Sequence, residues 1–433
     1  METIDNIPIS KIKRASKLVG TGAKVGVNYL KYYGSKLVKS EEEAKLTLDK
    51  NNAEDIYNSL KQLKGSALKV AQMLSMEKSI MPAAYVEKFS LSQFSVPPLS
   101  PPLVNKTFKS YFGKTPNEIF DEFNTTSNNA ASIGQVHRAK KNGNELAVKI
   151  QYPGVAESIS SDLKMVKPIA LKILNISPKD SEKYFKEVED KLIEETDYVL
   201  ELKQSQEISN ACKSIPNLLF PKYYEEFSSD RIITMDWMNG KHLSEYTFNE
   251  ANSNKIGQAL WDFYMYQIHK LNKVHADPHP GNFMISADEK LIALDFGCMK
   301  TIPKEFYTPY FELTQSETLN DKKLFEAKIL ELEIIKATDT EEEKSFFTEM
   351  FHELLTAFAT PLNADYFDFS DSDFFLKIAQ LGEKYTKNTE LRKMDANRGS
   401  KHFIYVNRTF FGLYNLMHMI QSKNIKINNY KSL

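Results

Sequence analysis

His275-Ala276-Asp277-Pro278-His279-Pro280-Gly281-Asn282, followed by Leu291-Ile292-Ala293-Leu294-Asp295-Phe296-Gly297, is the stretch whose reading decides the fold. Asp277 and Asn282 stand five positions apart, and Asn282 and Asp295 thirteen. The residue types suit a magnesium-nucleotide site. One carboxylate can reach an acceptor hydroxyl or a water, while an amide oxygen and a second carboxylate hold hard Mg ions against phosphates. Pro278 and Pro280 restrict the loop between them, and an apolar strand runs directly into Asp295. An aspartate in a Pro-Gly loop is by itself an ordinary turn former. The joint spacing carries the nucleotide reading.

Working outward, the same intervals are those of the protein-kinase catalytic loop and metal-binding turn. Upstream, Gln135 to Lys140 and Glu145 to Gln151 read as two strands joined by Asn142-Gly143, a tight-turn signal. Leu146, Val148 and Ile150 then share one face of the second strand, and Lys149 leaves from the other. Leu146-Ala147-Val148-Lys149 is similar to the strand whose lysine contacts nucleotide phosphates. A helix is expected from about Ser181 to Ser209, carrying Glu194, Glu195, Asp197 and Glu201. Glu201 would pair with Lys149, and Asp197 and Glu201, four apart, would share a helix face. For Glu194 a solvated position stays open.

Three further motifs place the resemblance. Asn129-Ala130-Ala131-Ser132-Ile133-Gly134-Gln135-Val136-His137 resembles the alanine-rich loop that replaces the glycine-rich loop in UbiB/AarF atypical kinases. Lys69-Val70-Ala71-Gln72 resembles the K-x-G-Q helix of that family, and Glu195-Thr196-Asp197 with Glu201 resembles its E-x-D and neighbouring elements. The motifs run from about residue 50 to 300. Three departures stand out: Ala71 for the K-x-G-Q glycine, Asn129 for the first alanine of the loop, and Leu202 and Gln204 for the alanine and asparagine after Glu201.

The resemblance implies an α+β, two-lobed protein-kinase-like fold, mostly helical, with a family-specific N-terminal helical extension. It implies ATP and Mg as ligands. Asp277, Lys149 and Glu201 would be catalytic, Asn282 and Asp295 the metal ligands, and Ala130, Ala131, Ser132, Ile133, Gly134, Gln135 and Lys149 the phosphate cradle. Asp236 to Met238 would form the hinge beside adenine. Lys69 and Gln72 would belong to a regulatory helix, with Lys69 paired to Glu195 and Asp197. A link to lipid or isoprenoid-quinone metabolism follows from the same resemblance, with quinone-pathway proteins as partners. A small-molecule phosphotransferase and a nucleotide-binding scaffold with negligible turnover are the alternatives.

Bulk properties agree with an enzyme of this size. A chain of 433 residues exceeds one ordinary core. The expected divisions are a basic segment 1–50, a helical extension 51–116, an N-lobe 117–238 and a C-lobe 239–433. A net charge of -1 gives no global attraction to nucleic acid. Two cysteines, Cys212 and Cys298, are too few for a disulfide framework or a zinc site. METIDNIPIS does not read as a secretory leader, and no apolar run reaches membrane-spanning length, so a soluble or peripheral protein on the cytoplasmic side is expected.

Residues 11 to 39 hold eight basic residues and no acid, interleaved with apolar ones. The segment suits an anionic lipid surface, or else a solvated helix face or a tail. Gly20, Gly22, Gly26 and Gly34 argue against one continuous helix there. Ser40 with Glu43 is a capping-box signature, and a further helix is expected from about Ala53 to Met76. Trp261, Phe263, Tyr264 and Tyr266 read as helix core. Asn407 to Ile420 reads as a helix of the C-lobe.

Overall fold

The computed structural model describes residues 11–36, 39–63, 83–90, 98–130, 133–174, 182–386 and 398–433. The motif Lys69–Gln72 and the loop residues Ala131 and Ser132 lie outside them. The chain divides into two compact units, Met1–Leu202 with Lys222–Trp237, and Lys203–Pro221 with Met238–Leu433. Each is mixed α and β, and helices dominate, as expected for the α+β class.

In the first unit, β1 (Glu122–Phe123), β2 (Asn129–Ala130), β3 (Gly134–Lys141) and β4 (Asn144–Gln151) are joined, beyond the short β5 (Leu218–Leu219) of the other unit, by β6 (Ile232–Asp236). The sheet order is β1-β3-β4-β6, with β2 also on β3, and every pairing is antiparallel. Lys141 faces Asn144 across the turn, and Asn142 and Gly143 both have positive φ, at 50° and 81°. Two such residues are what a two-residue hairpin loop requires. Val148 and Ile150 are fully buried, and so is most of the opposite face of β4.

The basic segment forms one helix, Lys11–Ser35, against the expectation from its glycines. A glycine costs about 1 kcal/mol relative to alanine inside a helix. Here that cost is offset by packing on the helix Glu41–Leu63, where Asn28 Nδ2 donates to Asn52 Oδ1 at 3.0 Å and to Asp55 Oδ2 at 2.9 Å. Ser40 does cap that second helix, its Oγ accepting from Glu43 N at 3.2 Å. The helix continues unbroken through Ala53 to Leu63, so the helix expected from about Ala53 starts earlier, and its expected stretch from 64 to Met76 lies outside the described residues. Its buried apolar stripe is Ala44, Leu48, Ala53, Ile56, Tyr57 and Leu60.

The long helix expected from Ser181 to Ser209 is two helices, Glu182–Thr196 and Tyr198–Cys212. Asp197 makes the break. Its Oδ1 accepts from Leu200 N at 2.9 Å, so it caps the second helix. Glu201 N still donates to Asp197 O at 2.9 Å, so Glu201 stands one turn on from the cap, whose carboxylate is turned to the Leu200 N–H.

The second unit is built around the helix Glu250–Lys270, with Ile256, Leu260, Trp261, Phe263, Tyr264 and Ile268 inaccessible to solvent. On it lie a sheet of order β5-β10-β9-β7, with β7 at Lys241–His242, β9 at Phe283–Ile285 and β10 at Leu291–Ala293, and a separate ribbon of β8 (Lys273–His275) with β11 (Met299–Thr301). The segment 420–433 straps the same helix. Ser253 Oγ donates to Ile420 O, Trp261 Nε1 to Ile427 O at 2.8 Å, and Asn429 Nδ2 to Asp262 Oδ2 at 2.6 Å. His269 stacks on Tyr430 at 4.7 Å between ring centroids.

This strap places two titrating groups of opposite response on one helix. Burial pushes the Asp262 carboxyl up to about 6, against the opposing bonds from Asn429 and Gln258 and the charge of Lys426. Desolvation pushes half-buried His269 down to about 4, helped by Lys431. The depressed histidine contributes stability that is present above its unfolded value near 6.5 and lost as pH falls toward 4. The raised aspartate contributes stability present below 3.8 and lost as pH rises through 6. Between pH 6 and 4 the two slopes oppose. His269→Phe keeps the stack on Tyr430 and removes one slope. Its stability relative to the parent protein should therefore rise by roughly 2–3 kcal/mol from pH 6.5 to pH 4, since each tenfold change in proton affinity is worth about 1.4 kcal/mol. Urea unfolding across that range checks it; a pH-independent difference would refute the pairing.

Candidate functional site

The first unit supplies a lysine-carboxylate pair. Lys149 lies in β4 between Val136 of β3 and Ile233 of β6. Its Nζ donates to Glu201 Oε1 at 2.6 Å and sits 5.0 Å from the centre of the Tyr198 ring. Lys149 is 8 % and Glu201 4 % exposed, so the pair is screened little by water. The break at Asp197 is what aims Glu201. It places the carboxylate in the first turn of the Tyr198–Cys212 helix, where the helix dipole also favours negative charge.

Of the residues expected to form a phosphate cradle, Ala131 and Ser132 lie outside the described residues. Ala130 pairs with Gln135 across β2 and β3, and Ile133 is buried. Gly134 is needed for close approach, since a Cβ there would meet Ile150 O at 2.5 Å and Tyr198 Oη at 3.0 Å. The Gln135 side chain is fully buried in a relay that the sequence does not signal. Its Oε1 accepts from Leu99 N at 2.7 Å, and its Nε2 lies 2.7 Å from His137 Nε2. His137 Nδ1 in turn lies 2.8 Å from Asn124 O. Because the amide nitrogen must donate, His137 accepts at Nε2 and donates from Nδ1 to the carbonyl. Burial holds the imidazole below its usual range, which keeps that neutral form.

At the expected hinge, Asp236 closes β6. Its carboxylate accepts from Lys222 N at 3.0 Å and Tyr224 Oη at 2.8 Å, and burial with this bond pushes the Tyr224 phenol up to about 12. Trp237 N donates to Glu145 O at 2.9 Å, with the Arg138 guanidinium 5.0 Å over its ring. Met238 opens the second stretch of the other unit. Of the acidic motif, Glu195 is buried and Asp197 is exposed as the helix cap.

The second unit holds Asp277, Asn282 and Asp295, all half-buried. Asp277 O accepts from His279 N at 2.8 Å and from Asn282 Nδ2 at 2.9 Å. With its nitrogen so used, the Asn282 amide presents Oδ1 as its acceptor. Leu294 N donates to Asn282 O at 3.1 Å, and β9 pairs with β10, which brings the Asn282 and Asp295 segments side by side. Asp295 Oδ1 accepts from Gly297 N at 2.9 Å, closing the turn. An asparagine oxygen and a carboxylate are hard ligands of the kind Mg takes, so the donor set fits that ion.

The loop is anchored from below. Ala276 N donates to Cys298 O at 2.8 Å, and His275 N to Gln267 Oε1 at 3.0 Å. Phe296 is buried against Phe220, Phe263 and His275. Burial, and next the charge of Asp277, hold the Tyr264 phenol well above its usual value, so it stays protonated.

With an antiparallel sheet and helices in the first unit and a helix-built second unit, the fold is of the protein-kinase-like class. A solved Mycobacterium tuberculosis protein, Rv3197 in complex with erythromycin, is similar in fold over 91 % of this chain and 98 % of that one, with a TM-score of 0.60 at 22 % identity. The family description "ABC1 atypical kinase-like domain" matches residues 91–328, more than half of the chain. The chain belongs to this ABC1/UbiB/AarF family of atypical kinases. Among its relatives are the mitochondrial atypical kinase COQ8B of Danio rerio, 28 % identical over 87 % of this chain and 61 % of that one, and the mitochondrial atypical kinase COQ8 of Saccharomyces cerevisiae, 29 % identical over 73 % and 65 %. A chloroplastic aarF domain-containing protein kinase of Arabidopsis thaliana is 29 % identical over 67 % of this chain and 42 % of its own length. The chain thus spans less than two thirds of each of these relatives.

Proposed function

We propose that the chain is a Mg-ATP-binding atypical kinase or ATPase of UbiB type, serving lipid or isoprenoid-quinone metabolism. The observation that carries this reading is the buried Lys149–Glu201 bond at 2.6 Å. A lysine and a glutamate are costly to bury together, and replacing such a pair with apolar residues is often neutral. A use for the lysine's charge, holding nucleotide phosphates, gives a reason for the pair to be there. In this reading Asn282 and Asp295 hold Mg, and Asp277 orients or deprotonates the acceptor. Ala130 to Gln135 cover the phosphates with main chain, Gln135 fixing the loop through its relay. Asp236 to Met238 contact adenine through the backbone, and Lys69 and Gln72 regulate from the extension. Bound Mg-ATP supplies the phosphoryl group to be transferred. The divisions proposed remain 1–50, 51–116, 117–238 and 239–433.

A lipid surface is supported by the first helix. Val27, Leu30 and Tyr33 are 48 %, 72 % and 64 % exposed at three-residue spacing, beside exposed Lys24 and Lys31. The helix Lys11–Ser35 contains no acid. An apolar stripe with basic flanks suits peripheral contact with anionic lipid, and no helix among the described residues is long and apolar enough to cross a membrane.

Release of phosphate from ATP by purified protein, with Mg or with EDTA, and with or without anionic vesicles, tests the proposal. Hydrolysis that needs Mg and rises with vesicles is expected. Tight Mg-ATP binding without turnover in any condition would instead favour the scaffold.

A further inference from the structure

The geometry points to Gly412 as a positioning residue for Asp277, acting through Pro278; its catalytic consequence rests on the function proposed above. Gly412 lies in the helix Lys401–Met419. A Cβ at this position would fall 2.2 Å from Pro278 Cγ, 3.2 Å from its Cβ and 3.3 Å from its Cδ. Real side chains do not approach so closely. The contacted group is a ring closed onto its own backbone nitrogen, so it cannot swing aside as a lysine tip would. Its backbone is the next link after Asp277.

Neither side of the contact can retreat cheaply. Phe410, Leu413, Tyr414 and Met417 of the helix are buried, and Tyr310 Oη donates to Asn407 Oδ1 at 2.7 Å. On the loop side, Ala276 N is bonded to Cys298 O, and Asp277 O receives both His279 N and Asn282 Nδ2. Displacing Pro278 therefore moves the proposed base and the proposed metal ligand together. Nothing in the sequence near Asp277 signals this. The partner is more than a hundred residues away, and glycine inside a helix usually reads as a defect.

The expected effect runs against ordinary helix behaviour. Glycine to alanine in a helix interior normally stabilises, and Gly20→Ala, with nothing within 4 Å of its Cβ, is the control for that. Gly412→Ala should instead speed amide hydrogen exchange across residues 275–282. It should also lower kcat for Mg-dependent ATP hydrolysis about tenfold or more, as small misplacements do, with ATP affinity measured without Mg nearly unchanged. Pro278→Ala removes the clashing Cγ and Cδ and leaves only the Cβ at 3.2 Å, so adding Gly412→Ala to it should cost far less in exchange and kcat than Gly412→Ala costs alone. If Gly412→Ala alone fails to fold, recovery of folding in the double variant supports the same contact.

Unchanged exchange of 275–282 in Gly412→Ala would overturn the inference, as would losses that multiply in the double variant or a double variant as unstable as the single one. If the parent protein binds no Mg-ATP and hydrolyses none, the proposed function fails on its own. The exchange and folding measurements then still decide the contact.

Discussion

Asp295→Asn is expected to lower Mg-dependent ATP hydrolysis by about 10²–10³-fold, the scale on which losing one preorganised electrostatic contact acts, and to leave the unfolding midpoint nearly unchanged. The separation of the two effects comes from the geometry. Asp295 Oδ1 accepts from Gly297 N at 2.9 Å. An asparagine keeps an oxygen at that position, so the turn holds and Phe296 stays buried in its aromatic cluster. What disappears is the negative charge toward the proposed Mg ion, for which a neutral amide oxygen is a weaker partner. Steady-state hydrolysis and calorimetry on one preparation test this. A loss of activity matched by a large drop in midpoint would make Asp295 structural, and full activity would remove it from the metal site.

Glu201→Ala should destabilise the first unit by about 3–5 kcal/mol, because a buried lysine loses the carboxylate that offsets its desolvation. Lys149 is 8 % exposed and cannot reach water without disturbing β4, which is held between β3 and β6. Lys149→Met together with Glu201→Leu removes both charges at similar volume and should recover most of that stability. The double variant should nevertheless stay inactive, since the proposed phosphate ligand is gone. Denaturant unfolding and hydrolysis of the two variants beside the parent protein separate the cases. A double variant no more stable than Glu201→Ala would mean that the pair itself, and not its broken half, carries the stability. Recovered turnover would remove Lys149 from the proposed site.

Much of this architecture is local enough to be legible in the chain. Asn142-Gly143 can take two positive φ angles, so the hairpin and the direction of Lys149 follow from a few adjacent residues. The 275–297 stretch is legible for a similar reason: the Asn282–Asp277 and Gly297–Asp295 bonds close within five residues. The break at Asp197 is legible in principle, since aspartate ahead of Tyr-Val-Leu is a cap candidate. It is hidden by a run of acids that reads equally as one charged helix face. The continuity of Lys11–Ser35 depends on a second helix supplying Asn52 and Asp55. The relay from Leu99 through Gln135 and His137 to Asn124 depends on segments with no periodicity in common. Such partners are set by tertiary packing and leave no pattern along the chain.

The order in which the chain visits its two units limits how far they are modular. Residues 203–221 belong to one unit and 222–237 return to the other, so no single cut separates them. A fragment ending at residue 202 would lack β6, and the whole edge of β4 from Leu146 to Ile150 would lose its hydrogen-bonded neighbour. A bare apolar edge of that kind recruits other chains. During synthesis the first unit likewise cannot finish its sheet until Asp236 has been made. Exchange between relatives by recombination should therefore succeed only when 222–237 travels with the segment before residue 203, as a two-piece transplant.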